Sequence, residues 1–287
     1  SYDLHSLLRR YAGEKLQESG EASATFEKHA RFLTQRVEAD AAANQEERTI
    51  EYYEDARAAL EWLASTRNTM LLRLSSALDG FWQRSGYLGE GREWLDRAIE
   101  LVDADTPAKL HAGALNVAGK LAWRQGDFEI AGKYLQQTAE LARMIEDNTL
   151  LASALMYLGY LSLNIGDHEG ARDFFAENLE IARILKNQNM IAKSLGNLGL
   201  LLQELTDYAA SKRYLEESVA LAEQMNEDEL TLVMLSNLGV TELKLQNFEL
   251  AEQHYQRALG LARKINSRIN MAITLVNLGE LKHFAGI

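Results

Sequence analysis

Glycine recurs at Gly119, Gly159, Gly199, Gly239 and Gly279, one every 40 residues, and few folds accommodate such a period. Self-similarity over about 20–50 residues marks stacked supersecondary units, none of which can bury its apolar face alone. Other positions keep the same step. Leu115, Leu155, Leu195, Leu235 and Leu275 lie four residues before the glycines. A turn follows each of the first four: Gly126-Asp127-Phe128, Gly166-Asp167-His168, Thr206-Asp207-Tyr208 and Gln246-Asn247-Phe248.

Each unit therefore reads as two helices. In the third, helix A covers 191–205, with Leu195, Leu198, Leu202 and Leu205 at the three-to-four spacing of one apolar stripe. The Asp or Asn at 127, 167, 207 and 247 is placed to cap the first amides of helix B. Helix B carries a small residue at Ala131, Ala171, Ser211 and Ala251, and ends on Leu-Ala or Ile-Ala at 141–142, 181–182, 221–222 and 261–262. The aromatic set Tyr134, Phe174, Tyr214 and Tyr255 is expected in the core between repeats. A glycine in mid-helix costs roughly 1 kcal/mol relative to alanine. Five in register imply that helix A approaches a neighbouring backbone too closely for a side chain. The expected fold is all-α, a right-handed superhelical solenoid of 40-residue helix pairs with one curved inner face.

The frame persists upstream with lower fidelity. Gly86, Gly91, Trp94 and Leu95 precede Gly126, Ala131, Tyr134 and Leu135 by 40, but Asp79 stands where the repeat glycine belongs. Before about residue 68 the period is lost. Residues 23–43 and 46–65 read as helices of an irregular cap, giving an expected division into 1–68 and a repeat region over 69–287. That region stops inside a helix A at Ile287, so the last unit is incomplete.

Composition narrows the chemistry. Lys and Arg total 30 against 42 Asp and Glu, a net charge of −12, which repels a phosphate backbone and argues against nucleic acid as a partner. With no cysteine, disulfides and thiolate chemistry are excluded. No uninterrupted apolar 18-mer and no leader pattern occurs, so a cytoplasmic chain without membrane contact is expected. A start at Ser1 without methionine reads as a chain excised from a longer one. Six histidines show neither HExxH nor a close ligand pair, and no nucleophile stands beside a base at a recognisable spacing. The expectation is a non-enzyme without metal or cofactor.

The unit Leu195-Gly196-Asn197-Leu198-Gly199, followed by Asp207-Tyr208, Ala210, Tyr214-Leu215 and Leu221-Ala222, resembles the long tetratricopeptide repeats of kinesin light chains, of Asn-Leu-Gly polarity scaffolds and of bacterial signalling ATPases. This likeness covers residues 80–287. Further upstream, the segment Tyr2 to Leu16 resembles the end of the winged-helix part of bacterial STAND regulators (nucleotide-binding, winged-helix, repeat proteins). His29-Ala30-Arg31-Phe32-Leu33, Ala58-Ala59-Leu60-Glu61-Trp62 and Phe81-Trp82-Gln83-Arg84-Ser85-Gly86 are similar to that family's entry into its repeats. The chain departs from the family at Tyr52-Tyr53-Glu54-Asp55-Ala56-Arg57, where an Asn-containing acidic helix is usual, and it has no GxxxxGK[ST] phosphate loop. What the resemblance implies is the sensor or partner-binding arm of such a regulator, with any ATPase or transcriptional role in a longer parent.

The candidate binding positions lie two residues before the repeat glycines: Asn197, Asn237 and Asn277, with Tyr157 and Val117 in the earlier units. Asn164, Glu204 and Lys244 follow two helical turns along the same face, and Trp123 stands where other repeats have Leu163, Gln203, Leu243 and His283. An asparagine ladder offers donor and acceptor to a peptide backbone, and the resembling scaffold and kinesin families use such asparagines in this way. The alternative is that each asparagine bonds to the preceding helix and fixes stacking. Function is accordingly read as a protein- or peptide-binding sensor domain of a signalling ATPase or transcriptional regulator. A non-switching adaptor and an autoinhibitory arm docked on the parent's own nucleotide-binding core are the alternatives, and homo-oligomerisation is compatible with each.

Overall fold

The computed structural model describes residues 11, 14–16, 18–43 and 45–285. Most of the segment 2–16 that resembles a winged-helix end, and Ile287, lie outside these residues. The chain divides into two compact units, 1–147 and 148–287. In the second, helices A and B alternate as α8 (Asn148–Asn164), α9 (His168–Ile184), α10 (Gln188–Glu204), α11 (Tyr208–Gln224), α12 (Asp228–Lys244), α13 (Phe248–Lys264) and α14 (Arg268–Ala285). Each helix packs on the next, and α10 and α12 also touch α12 and α14 directly. Among the described residues no helix is long and apolar enough to cross a membrane.

The repeat glycines sit under the helix B residue sixteen positions on. A Cβ on Gly159 would lie 2.3 Å from Phe175 Cε1, on Gly199 2.7 Å from Leu215 Cγ, and on Gly239 2.5 Å from Tyr255 Cε1. Helices A and B of one unit thus meet at a distance only glycine allows. The residues they cover, Phe175, Leu215 and Tyr255, are wholly buried. Of the expected aromatic set only Tyr255 is fully enclosed; Tyr134, Phe174 and Tyr214 are half-buried, and the enclosed position beside each is the next residue. Gly279 has open space around it.

The turns use two devices. Asp167 and Asp207 accept from Gly170 N and Ala210 N at 3.0 Å, capping helix B as expected, and Asn187 likewise caps α10 through Met190 N. Asn247 does not cap: its amide donates instead to Glu242 Oε2 at 2.7 Å. Before each cap one residue adopts a left-handed conformation. Gly166 does so freely at φ +77°, whereas Thr206 at +59° and Gln246 at +63° do so with a Cβ.

The first unit contains α1 (Ala22–Ala42), a 3-10 segment (Glu46–Tyr52), α2 (Tyr53–Ser65), α3 (Met70–Ala77), α4 (Asp79–Ser85), α5 (Leu88–Ile99), α6 (Ala108–Arg124) and α7 (Phe128–Met144). The single helix expected over 46–65 is therefore broken at Tyr52. Its hydroxyl donates to Asp40 Oδ2 at 2.6 Å and its ring lies under the Arg36 guanidinium, which holds the segment against α1. Gly119 and Leu135 make the same helix A to helix B contact as the later units. At the degenerate repeat the close approach changes sides: Trp82 occupies the space, and Gly91 on α5 yields, since a Cβ there would lie 2.5 Å from Trp82 Cε3. Trp82 is fully buried and donates to Tyr53 OH at 3.0 Å. Asp79, in the glycine's place, is ion-paired with Lys120 of the following helix A.

Candidate functional site

In the second unit the four helices A present Tyr157, Asn197, Asn237 and Asn277 at one register. Tyr157, Asn237 and Asn277 are half-buried, and Asn197 is buried. The Tyr160 hydroxyl of α8 donates to Asn197 Oδ1 of α10 at 3.0 Å, and Tyr157 packs edge-on against the Tyr160 ring. Burial raises the Tyr160 phenol above its ordinary value, while its bond to Asn197 acts in the opposite sense. The Asn197 amino group, with no surface of its own, has no partner among the described residues. A buried donor left unpaired costs about 1–3 kcal/mol, so this amide is half satisfied by stacking and half available to an acceptor that displaces its cover.

Two turns along, Asn164, Glu204 and Lys244 are exposed, and Lys244 Nζ lies 5.8 Å from the Phe284 ring centroid. The face therefore runs from an amide-rich stretch to a charged edge holding one anion and one cation. Val117 and Trp123 belong to the first unit, where Val117 is buried and Trp123 is half-buried on the last turn of α6.

A second set of polar contacts was not singled out from sequence. Gln203 Nε2 donates to Asn237 O at 2.8 Å and to Thr241 Oγ1 at 2.6 Å, joining α10 to α12 beside the ladder. Asn178 on α9 donates to Ala152 O of α8 at 2.5 Å and accepts from Ser194 of α10. Ser218 reaches Ala192 O at 2.7 Å. Asn178 and Ser218 occupy the same register in consecutive helices B, which is the signal that sequence inspection passes over when it attends to apolar positions.

Glu242 is the most enclosed carboxylate of this unit, 1% exposed. Lys212 Nζ meets its Oε1 at 2.8 Å and Asn247 meets its Oε2. The Lys212 ammonium is raised above its ordinary value by its bond to Glu242. Burial holds the nearby His254 imidazole below its usual range; Lys212 and Arg257 act with it, and Glu242 and Glu216 oppose it. The pair satisfies itself and points at no substrate. Among the described residues no three His, Asp or Glu side chains come together as a metal site.

Residues 150–224 and 230–286 match the tetratricopeptide repeat family model, and the helix pairs described there have a tetratricopeptide-like fold. The fold is similar to BtubC (BKLC) from P. vanneervenii, at 18% identity over 82% of this chain and 92% of that one with a TM-score of 0.61. It is also similar to a Rap protein complexed with Competence and Sporulation Factor, at 15% identity over 88% of this chain and 80% of that one, TM-score 0.65. A third likeness is to a Signal Transduction ATPase with Numerous Domains from Pyrococcus horikoshii that has a tetratricopeptide repeat sensor. There the identity is 17%, the TM-score 0.67, and the match covers 98% of this chain but 44% of that one. At these identities the likeness is one of fold. No curated protein matches the chain by sequence.

Proposed function

We propose that the helix-A face of the second unit binds an extended peptide or protein segment, and that the chain serves as the sensor or regulatory arm of a bacterial signalling ATPase or transcriptional regulator. The observation that carries the reading is the Asn197 amide. Its carbonyl is fixed by Tyr160, its amino group is unpaired, and Asn237 and Asn277 continue it at the same register. Backbone carbonyls of a peptide are the acceptors such a row fits, with Tyr157 at one end and Asn164, Glu204 and Lys244 along the charged edge. Trp123 is a separate anchor candidate in the first unit. Likeness to a Rap protein complexed with Competence and Sporulation Factor, and to a signal transduction ATPase with a tetratricopeptide repeat sensor, favours this over a non-switching adaptor or an autoinhibitory arm. A sensor of this kind acts in the cytoplasm without catalysis of its own. Capture shifts its parent between states only if the ligand binds those states unequally.

The test is retention of peptides from a source-cell extract on the chain and on an Asn197→Ala/Asn237→Ala variant, at a temperature where both are folded. A peptide held by the first and lost by the second supports the reading. Equal retention, or equal lack of it, removes the ladder from binding.

A further inference from the structure

A different surface of the second unit carries a guanidinium whose ion pair is long and local. Arg92, Arg172 and Lys212 occupy one register in the helices B α5, α9 and α11, with Gly132 at that place in α7. Arg92 pairs with Asp127 at 2.8 Å, and Lys212 pairs with Glu242 at 2.8 Å. Arg172 has Leu202 at the place of Glu242, and its ion-pair partner is its sequence neighbour Asp173 at 4.0 Å, with the guanidinium largely exposed.

Beside Arg172 runs a groove of about 650 Å³ between α9 and α11, floored by α10. Leu198, Leu202 and Leu205 line it, and Leu205 is 43% exposed. Arg183 and Arg213 stand on its rims with Glu177 and Glu180; Glu180 is taken up by Arg183 at 2.8 Å. Among the lining residues three guanidinium groups face two carboxylates, an excess of one cation on a chain whose net charge is −12, with Asp173 outside the groove and 81% exposed. At about 100° per residue, Leu198 and Leu205 lie roughly a quarter turn around α10 from Asn197, so this is not the ladder.

We propose that this groove docks a short acidic amphipathic helix of a partner protein. The stretch of α9 from Arg172 to Arg183 runs about 16 Å at ~1.5 Å per residue, room for roughly three helical turns. Such a helix lays its apolar side on the leucines, as amphipathic helices do in open grooves, and turns carboxylates toward Arg172 and Arg213. Charge complementarity selects an acidic partner over a basic one. Openness along one side suits a helix laid on the surface over a small molecule enclosed within it.

The next repeat supplies the control, because Leu202→Glu gives Arg172 the carboxylate that Lys212 already has. A displayed library of helical peptides is selected on the whole chain and counter-selected on Leu202→Glu, with Arg172→Glu/Arg213→Glu as a second variant altering only exposed groups. Enriched peptides are expected to carry apolar residues at i, i+3, i+4 and i+7 with Asp and Glu beside them. They bind both variants at least tenfold more weakly, and bind Asn197→Ala/Asn237→Ala unchanged, which separates this surface from the ladder. The proposal is overturned if enriched peptides are neutral or basic, if they bind both variants as well as the parent, or if none is enriched. Stoichiometric binding of oleate at Arg172 without peptide enrichment overturns it too, in favour of a lipid carboxylate.

Discussion

Tyr160 and Asn197, 37 residues apart in the chain, share a hydrogen bond of 3.0 Å that joins the first two helices A of the second unit. The residues at the Tyr160 register in the next repeats are Leu200 and Val240, which have no hydroxyl to give. The ladder is thus chemically uneven. Asn197 is tied to its neighbour, whereas Asn237 and Asn277 keep free side chains among the described residues. The stacking account of the asparagines holds at one position and has no donor at the other two.

Tyr160→Phe and Asn197→Ala are each expected to lower stability by about 1 kcal/mol in urea denaturation, the usual net worth of such a bond. Because both remove one interaction, the double variant should lose clearly less than the sum. Asn237→Ala should fall within about 0.5 kcal/mol of the parent, as surface changes without a partner do. A loss at Asn237 equal to that at Asn197 would mean the ladder is structural throughout.

Two glycines at one register are expected to respond with opposite sign. Gly159→Ala gains about 1 kcal/mol of helix propensity, but its Cβ meets the rigid Phe175 ring at 2.3 Å. Overpacking of this kind costs about 1–3 kcal/mol, and the steep repulsion of an aromatic ring places it at the upper end, for a net loss in thermal unfolding. Gly279→Ala meets nothing within 4 Å. It should slow hydrogen exchange in α14 by the propensity gain alone.

The repeat was legible because helix A to helix B packing needs the same small and large residues in every unit, so its physics is written as a period. The glycines, the two Asp caps of the second unit and the buried leucines follow from that. What escaped has no period. Asn247 fits the cap pattern by residue type, yet its amino group donates to buried Glu242, and its side-chain oxygen accepts from no amide of the helix. Phe174 and Phe175 are adjacent and equally apolar, so only the position of the facing glycine decides which is enclosed. In the first unit, Tyr52 breaks its helix through contacts with Asp40 and Arg36, residues too distant in sequence for local pattern to reveal. The candidate asparagines could be placed on one face from spacing. That one of them is tied to Tyr160 depends on a single unrepeated hydroxyl.

Thr206 occupies a left-handed conformation at φ +59° where the preceding repeat has Gly166 at +77°. For a β-branched residue this costs about 1–2 kcal/mol. Thr206→Gly removes that strain but loosens the unfolded chain by about 0.4–1 kcal/mol. The expected net gain is about 0.5–1 kcal/mol, read as a higher urea midpoint at unchanged slope. No gain would show that the turn relaxes around threonine without strain.

Lys212 and Glu242 allow the energetics of an enclosed ion pair to be measured within one repeat array. Lys212→Met leaves Glu242, 1% exposed, with Asn247 as its remaining partner. The loss should be roughly 1–3 kcal/mol, below the full penalty for a wholly buried pair because the lysine itself is 30% exposed. Glu242→Leu installs the residue that the preceding repeat has at Leu202 and leaves only a solvated ammonium behind, so its cost should be smaller. The double variant then has no charge to desolvate, and its stability should return to within about 1 kcal/mol of the parent. A cycle in which the double variant is worse than Lys212→Met alone would mean that Asn247, deprived of its acceptor and not recruited as a cap, is what the carboxylate is there to hold.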